Sequence, residues 1–283
     1  MGRVAGKVAL ITGAARGQGR NHAVRLAAEG ADIVAVDLCA DIATVPYPMA
    51  TPLDLRDTVK AVEALDRRCL GVQADVRNPL AMADAVRQTI AEFGRLDVVV
   101  ANAAVSALGM ETNQAWVDTV DTNLVGLINT IHAAYPHLKP GASIIAIGSL
   151  VALRPRRAYD EAGPGSAAYK YAKLAVAQYI HELATALAPE LIRANVIHPT
   201  NVESPMLLND ATYRQFRRDL DSPTREDAQQ HFPIVHAMPI PYVDQDDISH
   251  AVVYLASDES RYLTGNQLRV DAAGYLKVNP FRP

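Results

Sequence analysis

Short runs of apolar, mostly β-branched residues alternate along the chain with longer stretches in which apolar residues recur three and four positions apart. The runs Val8 to Ile11, Ile33 to Val36, Cys69 to Ala74, Leu96 to Ala101, Ser143 to Ile147, Ala194 to Ile197 and Gln267 to Val270 predict seven strands. The stretches Arg20 to Glu29, Pro79 to Phe93, Trp116 to Leu138, Ala168 to Leu187 and Asp246 to Ser257 predict amphipathic helices. Strands and helices that alternate in this way form βαβ units, because a parallel neighbour is reached only by a long crossover. The expected fold class is α/β, a doubly wound parallel seven-stranded sheet in a single domain over 1–283. Two insertions interrupt the rhythm. Asp41 to Asp57 holds Pro46, Pro48 and Pro52 and is read as irregular, and the polar, proline-containing Leu207 to Val243 is read as a lid over a substrate.

Composition narrows the class of function. The 283 residues are 49% apolar and 20% charged, enough to bury a large core without disulfide staples. Lys and Arg number 27 against 31 Asp and Glu, a net charge of -4, so neither nucleic acid nor an anionic membrane is expected as a partner. Cys39 and Cys69 lie outside any CxxC spacing, which points away from a disulfide framework and toward a reducing cytoplasm. Met1 to Lys7 lacks the apolar core of a signal peptide, and no segment reaches the ~18 to 20 unbroken apolar residues that span a bilayer. His22, His132, His137 and His181 show no HxH or HExxH spacing, so no metal is expected.

Candidate chemistry begins directly after the first strand, where Thr12-Gly13-Ala14-Ala15-Arg16-Gly17-Gln18-Gly19 leads into a helix. A strand, a glycine turn and a helix together suit a pyrophosphate, because glycine lets the backbone approach the anion and the helix start presents free amides. The turn alone is a weak signal. The second strand ends at Asp37, 24 positions beyond Gly13, where a carboxylate can accept from an adenosine ribose diol and repel a 2′-phosphate. Arg16 is a possible partner for a 2′-phosphate, but with Asp37 in place the reading favours NAD, on a Rossmann-type sheet. Later, Tyr169-Lys170-Tyr171-Ala172-Lys173 puts Tyr169 and Lys173 four residues apart on one helix face.

The TGxxxGxG spacing of Thr12, Gly13, Gly17 and Gly19, with this YxxxK pair, resembles the short-chain dehydrogenase/reductase family over nearly the whole chain. Asp75 in Ala74-Asp75-Val76 resembles the family's adenine-contacting aspartate. Asn102 matches the second position of its NNAG motif, here Ala101-Asn102-Ala103-Ala104. Val202, in His198-Pro199-Thr200-Asn201-Val202, resembles the residue whose backbone meets the nicotinamide amide, although Pro-Thr replaces the usual PG turn; His198 is read as structural. The cofactor set implied is Gly13, Arg16, Gly17, Gln18, Gly19, Asp37, Leu38, Asp75, Val76, Asn102 and Val202, with Tyr169 and Lys173. The catalytic set implied is Asn123, Ser149, Tyr169 and Lys173: Tyr169 as acid/base, Lys173 as its activator, Ser149 at the substrate oxygen and the Asn123 amide holding a water. Ser149 lies 20 residues before Tyr169, longer than the family's usual spacing, with the excess placed in a loop from Arg154 to Ser166; Ser166 is the alternative hydroxyl.

The resemblance implies an NAD-dependent oxidoreductase acting on a secondary alcohol or ketone, assembled as a homotetramer through the helices Trp116 to Leu138 and Ala168 to Leu187. The C-terminal Leu276 to Pro283 is expected to reach a neighbouring subunit. ITGAARGQGR, Asn21 to Ala27, the strand end at Leu38 and Cys39 with its long insertion, and the Asp258 to Gly265 turn resemble the mycofactocin-coupled, carveol-dehydrogenase-like subgroup. There NAD acts as a prosthetic group and mycofactocin takes the electrons. A non-catalytic dinucleotide sensor and an ordinary carbonyl reductase with freely exchanging NAD(P) remain the alternatives.

Overall fold

Along Val8–Thr12 (β1), Ala9 and Ile11 pack on one face of the sheet while Val8 and Leu10 pack on the other, and all four are buried. A strand with two apolar faces belongs at the centre of a sheet covered on both sides, and β1 sits there. In the computed structural model, which describes residues 2–154 and 163–279, it joins Asp32–Asp37 (β2), Cys69–Gln73 (β3), Val98–Ala101 (β4), Ser143–Ile147 (β5), Arg193–Pro199 (β6) and Gln267–Val270 (β7). All pairings are parallel, in the order β3-β2-β1-β4-β5-β6-β7. The order reverses between β1 and β4, and a crevice opens beyond the carboxyl ends of strands at such a point.

Helices Gly17–Ala28 (α1), Pro52–Glu63 (α2) and Gln245–Ala256 (α9) cover one face through Leu26, Leu55, Val62, Val252 and Leu255. Pro79–Phe93 (α3), Gly126–Ala134 (α5) and Gly163–Leu187 (α6) cover the other through Met82, Val86, Ile131, Val176 and Ile180. The sequence sets the limits of α3 at both ends. Asn78 accepts from the amides of Leu80 and Ala81, Pro79 occupies the first turn where its missing N–H costs nothing, and Gly94 closes the helix at φ 74°.

The structure corrects three expectations. Pro52 starts α2 instead of breaking a helix: Thr51 and Asp54 form a capping box, and the proline fills the first turn. The expected single helix from Trp116 to Leu138 is Asn113–Val120 (α4), a π-helical turn at Asp121–Val125, α5 and a 3₁₀ turn at Tyr135–His137. Helix α6 begins at Gly163, so Ser166 is helical; residues 155–162 of the expected loop, and residues 280–283 of the C-terminal segment, lie outside the described residues.

The region expected as an irregular lid contains Asp210–Phe216 (α7) and Arg225–His231 (α8). They have their own small core of Leu207, Tyr213, Ala228 and Phe232, with Phe216 edge-on to Phe232 at 4.8 Å between ring centres. The last helix is Gly274–Val278 (α10). Among the described residues no helix is long and apolar enough to cross a membrane.

Candidate active site

The turn after β1 and the segment after β4 are tied together across the point where the sheet reverses. The Thr12 hydroxyl accepts from the amides of Asn102 and Ala103, both at 3.1 Å, and the Asn102 amide donates to the carbonyls of Thr12 (2.9 Å) and Gly13 (3.3 Å). Side-chain volume is excluded here: a Cβ on Gly19 would lie 2.0 Å from the Gly13 carbonyl oxygen, and one on Gly13 would lie 2.9 Å from the Ala103 Cα. Asp37 closes the same turn from β2. Its two carboxylate oxygens accept from the amides of Ala15 and Cys39, each at 3.0 Å, which fixes the carboxylate at the strand end and leaves lone pairs for other donors.

From this turn a single cavity of roughly 390 Å³ runs to the end of β5. Gly13, Arg16, Gly17, Gln18, Gly19, Asp37, Leu38, Asp75, Val76 and Asn102 line it toward the glycine turn, and Val202, Ser149, Tyr169 and Lys173 line the far part. Asp75 is clasped by Arg77 at 2.7 to 3.0 Å, and although its burial pushes its pKa up, the guanidinium outweighs that and holds the carboxyl below its ordinary value. Val202 is buried and makes a bridge to Val243, which fixes its backbone beside the cavity.

At the far end the reactive side chains converge. The last residues of β5 lead to Gly148 and Ser149, whose hydroxyl is hydrogen-bonded to that of Tyr169. Burial raises the Tyr169 phenol and the Ser149 bond pulls it back in part. One turn along α6, Lys173 is buried, donates to the Ile147 carbonyl at 2.7 Å, and stands 5.7 Å from the centre of the Tyr169 ring. Desolvation lowers its pKa to about 8, which leaves most of it charged at neutral pH. Ser166, the alternative hydroxyl, is not among the residues that line the cavity.

His198 sits directly beneath Ser149. Its Nδ1 is 3.2 Å from the Ser149 amide and 2.9 Å from the Ser149 carbonyl, and its Nε2 faces the Gln267 side chain. Burial lowers its pKa, so the neutral ring is favoured, a structural brace for the serine. Asn123 falls in the π-helical turn, and its amide is committed on both sides: the oxygen accepts from the Val105 amide and the nitrogen donates to the Val105 carbonyl, each at 2.8 Å. It is not among the residues that line the cavity, and these two bonds tie the amide to the loop after β4.

Two side chains at the cavity had no sequence signal. Tyr47, between Pro46 and Pro48, is buried, accepts from the Ser106 amide at 3.1 Å and is pushed up to about 12 by desolvation, within electrostatic range of both Tyr169 and Arg16. Arg16 donates to the Pro48 carbonyl, so the insertion after β2 lies as a strap along the cavity, with Ile42, Met49 and Ala50 facing it. The second is Arg154, beyond Ser149. Among the described residues no group of three or more His, Cys, Asp or Glu could hold a metal ion.

Similarity to known proteins agrees with this geometry. The family profile described as enoyl-(acyl carrier protein) reductase matches residues 13–275. A (-)-trans-carveol dehydrogenase of Rhodococcus erythropolis is 40% identical over 98% of this chain and 100% of its own. The crystal structure of carveol dehydrogenase from Mycobacterium avium in complex with NAD superposes with a TM-score of 0.91 at 45% identity, covering 98% of this chain and 100% of the other. That of a short chain dehydrogenase from Mycobacterium paratuberculosis bound to NAD gives 0.84 at 36% identity, over 97% and 99%. The fold, the glycine turn and this likeness over nearly its whole length place the chain in the short-chain dehydrogenase/reductase family.

Proposed function

We propose that the protein is an NAD-dependent alcohol dehydrogenase acting on a secondary alcohol or the corresponding ketone. The observation that carries this reading is one continuous cavity with the glycine turn and Asp37 at one end and the Ser149, Tyr169 and Lys173 cluster at the other. The crowded approach at Gly13 and Gly19 fits a pyrophosphate lying on the backbone, and the Asp37 carboxylate fits a ribose diol while opposing a 2′-phosphate. Bound NAD would supply the hydride acceptor. The chain's own residues do the rest: Ser149 donates to the substrate oxygen, Tyr169 takes or returns its proton, and the buried ammonium of Lys173 favours the phenolate.

The strap that precedes α2, residues 41–51, favours a finer version in which NAD is held as a prosthetic group and electrons pass to mycofactocin. Release would require the Tyr47 and Arg16 contacts to open, and Tyr47 is buried. Protein purified without added cofactor is therefore expected to carry near-stoichiometric NAD(H), with alcohol oxidation faster through a dye acceptor than through free NAD, and NADP a poor substitute. Extraction and chromatography of the bound nucleotide, with steady-state rates, check this. An apo preparation that turns over many equivalents of added NAD removes the prosthetic-group version alone, and NAD binding without oxidation of any secondary alcohol supports a dinucleotide sensor.

Assembly as a homotetramer is part of the same proposal. Val117 on α4, Val125 on the π-helical turn, and Tyr171 and Leu174 on α6 are all exposed, an apolar surface on the two helices expected to pair. Light scattering is expected to give four times the 30.5 kDa chain mass, and a monomer at micromolar concentration would refute it. Both cysteines are free and the burial of each holds its thiol near pKa 12, which suits a cytoplasmic setting.

A further inference from the structure

Immediately after Ser149 the chain makes a 3₁₀ turn, Leu150–Leu153, and delivers Arg154 to the wall of the same cavity. The same cavity is lined by the apolar Leu150, Val151, Leu207, Phe216 and Val235, with Thr212 and Gln215 beside Phe216. Among the described residues, the acidic side chains that line the cavity are Asp37 and Asp75, both toward the glycine turn. One terminal nitrogen of the guanidinium donates to the Val235 carbonyl at 3.2 Å, while its Nε is buried with no hydrogen-bond partner among the described residues. Among the described residues Arg154 has no ion pair: the field of Asp271 reaches it, but that carboxylate accepts from the amides of Ala273 (3.1 Å) and Tyr275 (2.8 Å) and makes no direct contact with the guanidinium. Desolvation works against the charge here, yet an arginine keeps it at neutral pH. A partly dehydrated cation with a free donor in a largely apolar wall is costly unless something brings it an acceptor. Arg154 itself lines the cavity, from which an acceptor can reach the guanidinium.

We propose that Arg154 anchors a carboxylate on the substrate, so that this enzyme takes secondary alcohols carrying an acid group across a ring-sized spacer. The inference rests on the dehydrogenase reading and names its substrate class. Ser149 and Arg154 are five positions apart with a 3₁₀ turn between them, at about 2 Å of rise per residue, so their Cα atoms stand roughly 10 Å apart. Both side chains line the cavity, so a ring-sized spacer between a hydroxyl and a carboxylate is the scale of ligand that would place one group at each. A guanidinium is the group suited to the far end, since its parallel donors match both carboxylate oxygens.

The test compares wild type with Arg154→Met, which keeps an unbranched apolar stem and removes the charge. The kcat/KM for 4-hydroxycyclohexanecarboxylate relative to cyclohexanol is expected to favour the acid in wild type, and that preference is expected to fall about 10- to 100-fold in the variant. Arg154→Lys should retain part of it. Calorimetric binding of cyclohexanecarboxylate, which cannot be oxidised at a carbinol, to NAD-loaded protein gives a readout independent of turnover, and Arg154→Met is expected to weaken it at least tenfold. If no alcohol is oxidised while this Arg154-dependent binding persists, the dehydrogenase reading fails and the anchor stands. If wild type does not bind the carboxylate, or the variant binds it equally well, the anchor is overturned. Should Arg154→Met not fold, Arg154→Gln reads the same two quantities.

Discussion

Tyr169→Phe is expected to lower turnover about 10²- to 10⁴-fold while leaving NAD affinity within a few-fold. The substitution removes a single hydroxyl, the one hydrogen-bonded to Ser149, and keeps the ring that stands 5.7 Å from Lys173. Little contact surface is lost, so ground-state binding has no reason to change; what disappears is the proton acceptor for alcohol oxidation and the donor for ketone reduction. The pH dependence follows with a definite sign. Oxidation needs the phenolate, whose fraction grows with pH, so its rate should rise toward alkaline pH, whereas reduction needs the phenol and should fall. Lys173, lowered to about 8 by desolvation, carries its stabilising charge mainly below that pH, which keeps the phenolate accessible where the free phenol would be protonated. Steady-state rates in both directions, with nucleotide binding measured separately, check the prediction. Equal losses in binding and turnover would mean that Tyr169 is structural.

The strands were legible because a parallel strand covered on both faces must be an apolar run, and Ser143–Ile147, buried throughout, has the bounds its sequence predicts. The glycine turn was legible for a related reason: the spacing of Gly13 and Gly19 reflects backbone approaches that leave no room for a side chain. Pro52 is ambiguous in sequence because proline has two meanings in a helix, breaker inside it and starter at its first turn, and it is the Thr51 to Asp54 box that decides between them. The π-helical turn at Asp121–Val125 has no periodic signature over five residues, so Trp116 to Leu138 read as one helix, and the commitment of the Asn123 amide to Val105 stayed hidden with it. Tyr47 and Arg154 were missed for a different reason. Their partners, Ser106 and Val235, lie 59 and 81 positions away, and only the closed tertiary structure brings them to the cavity.

The second large effect expected concerns Gly19, and its argument turns on comparison with Gly17. Gly17 has φ 58°, a conformation that penalises any Cβ, yet a Cβ placed there would meet nothing within 4 Å. Gly17→Ala should therefore carry only the left-handed backbone penalty of roughly 1–2 kcal/mol, part of it relieved by local adjustment. Gly19 poses the opposite problem. Its backbone conformation is open to any residue, but a Cβ would lie 2.0 Å from the Gly13 carbonyl oxygen and 2.8 Å from the Asn102 amide nitrogen. The first contact is with backbone, which cannot rotate aside, and the second is with the side chain that ties the turn to the segment after β4. Gly19→Ala must push the turn off α1 and loosen the Asn102 bonds, a clash at the upper end of the ~1–3 kcal/mol typical of overpacking. Because the strained atoms are those that would receive the pyrophosphate, NAD affinity is expected to fall about 100-fold, against tenfold or less for Gly17→Ala. Calorimetric titration of NAD into the two variants, each stripped of bound nucleotide and checked for folding by circular dichroism, decides the matter. If Gly19→Ala binds NAD as tightly as wild type, the turn at Gly13 and Gly19 is not the pyrophosphate seat.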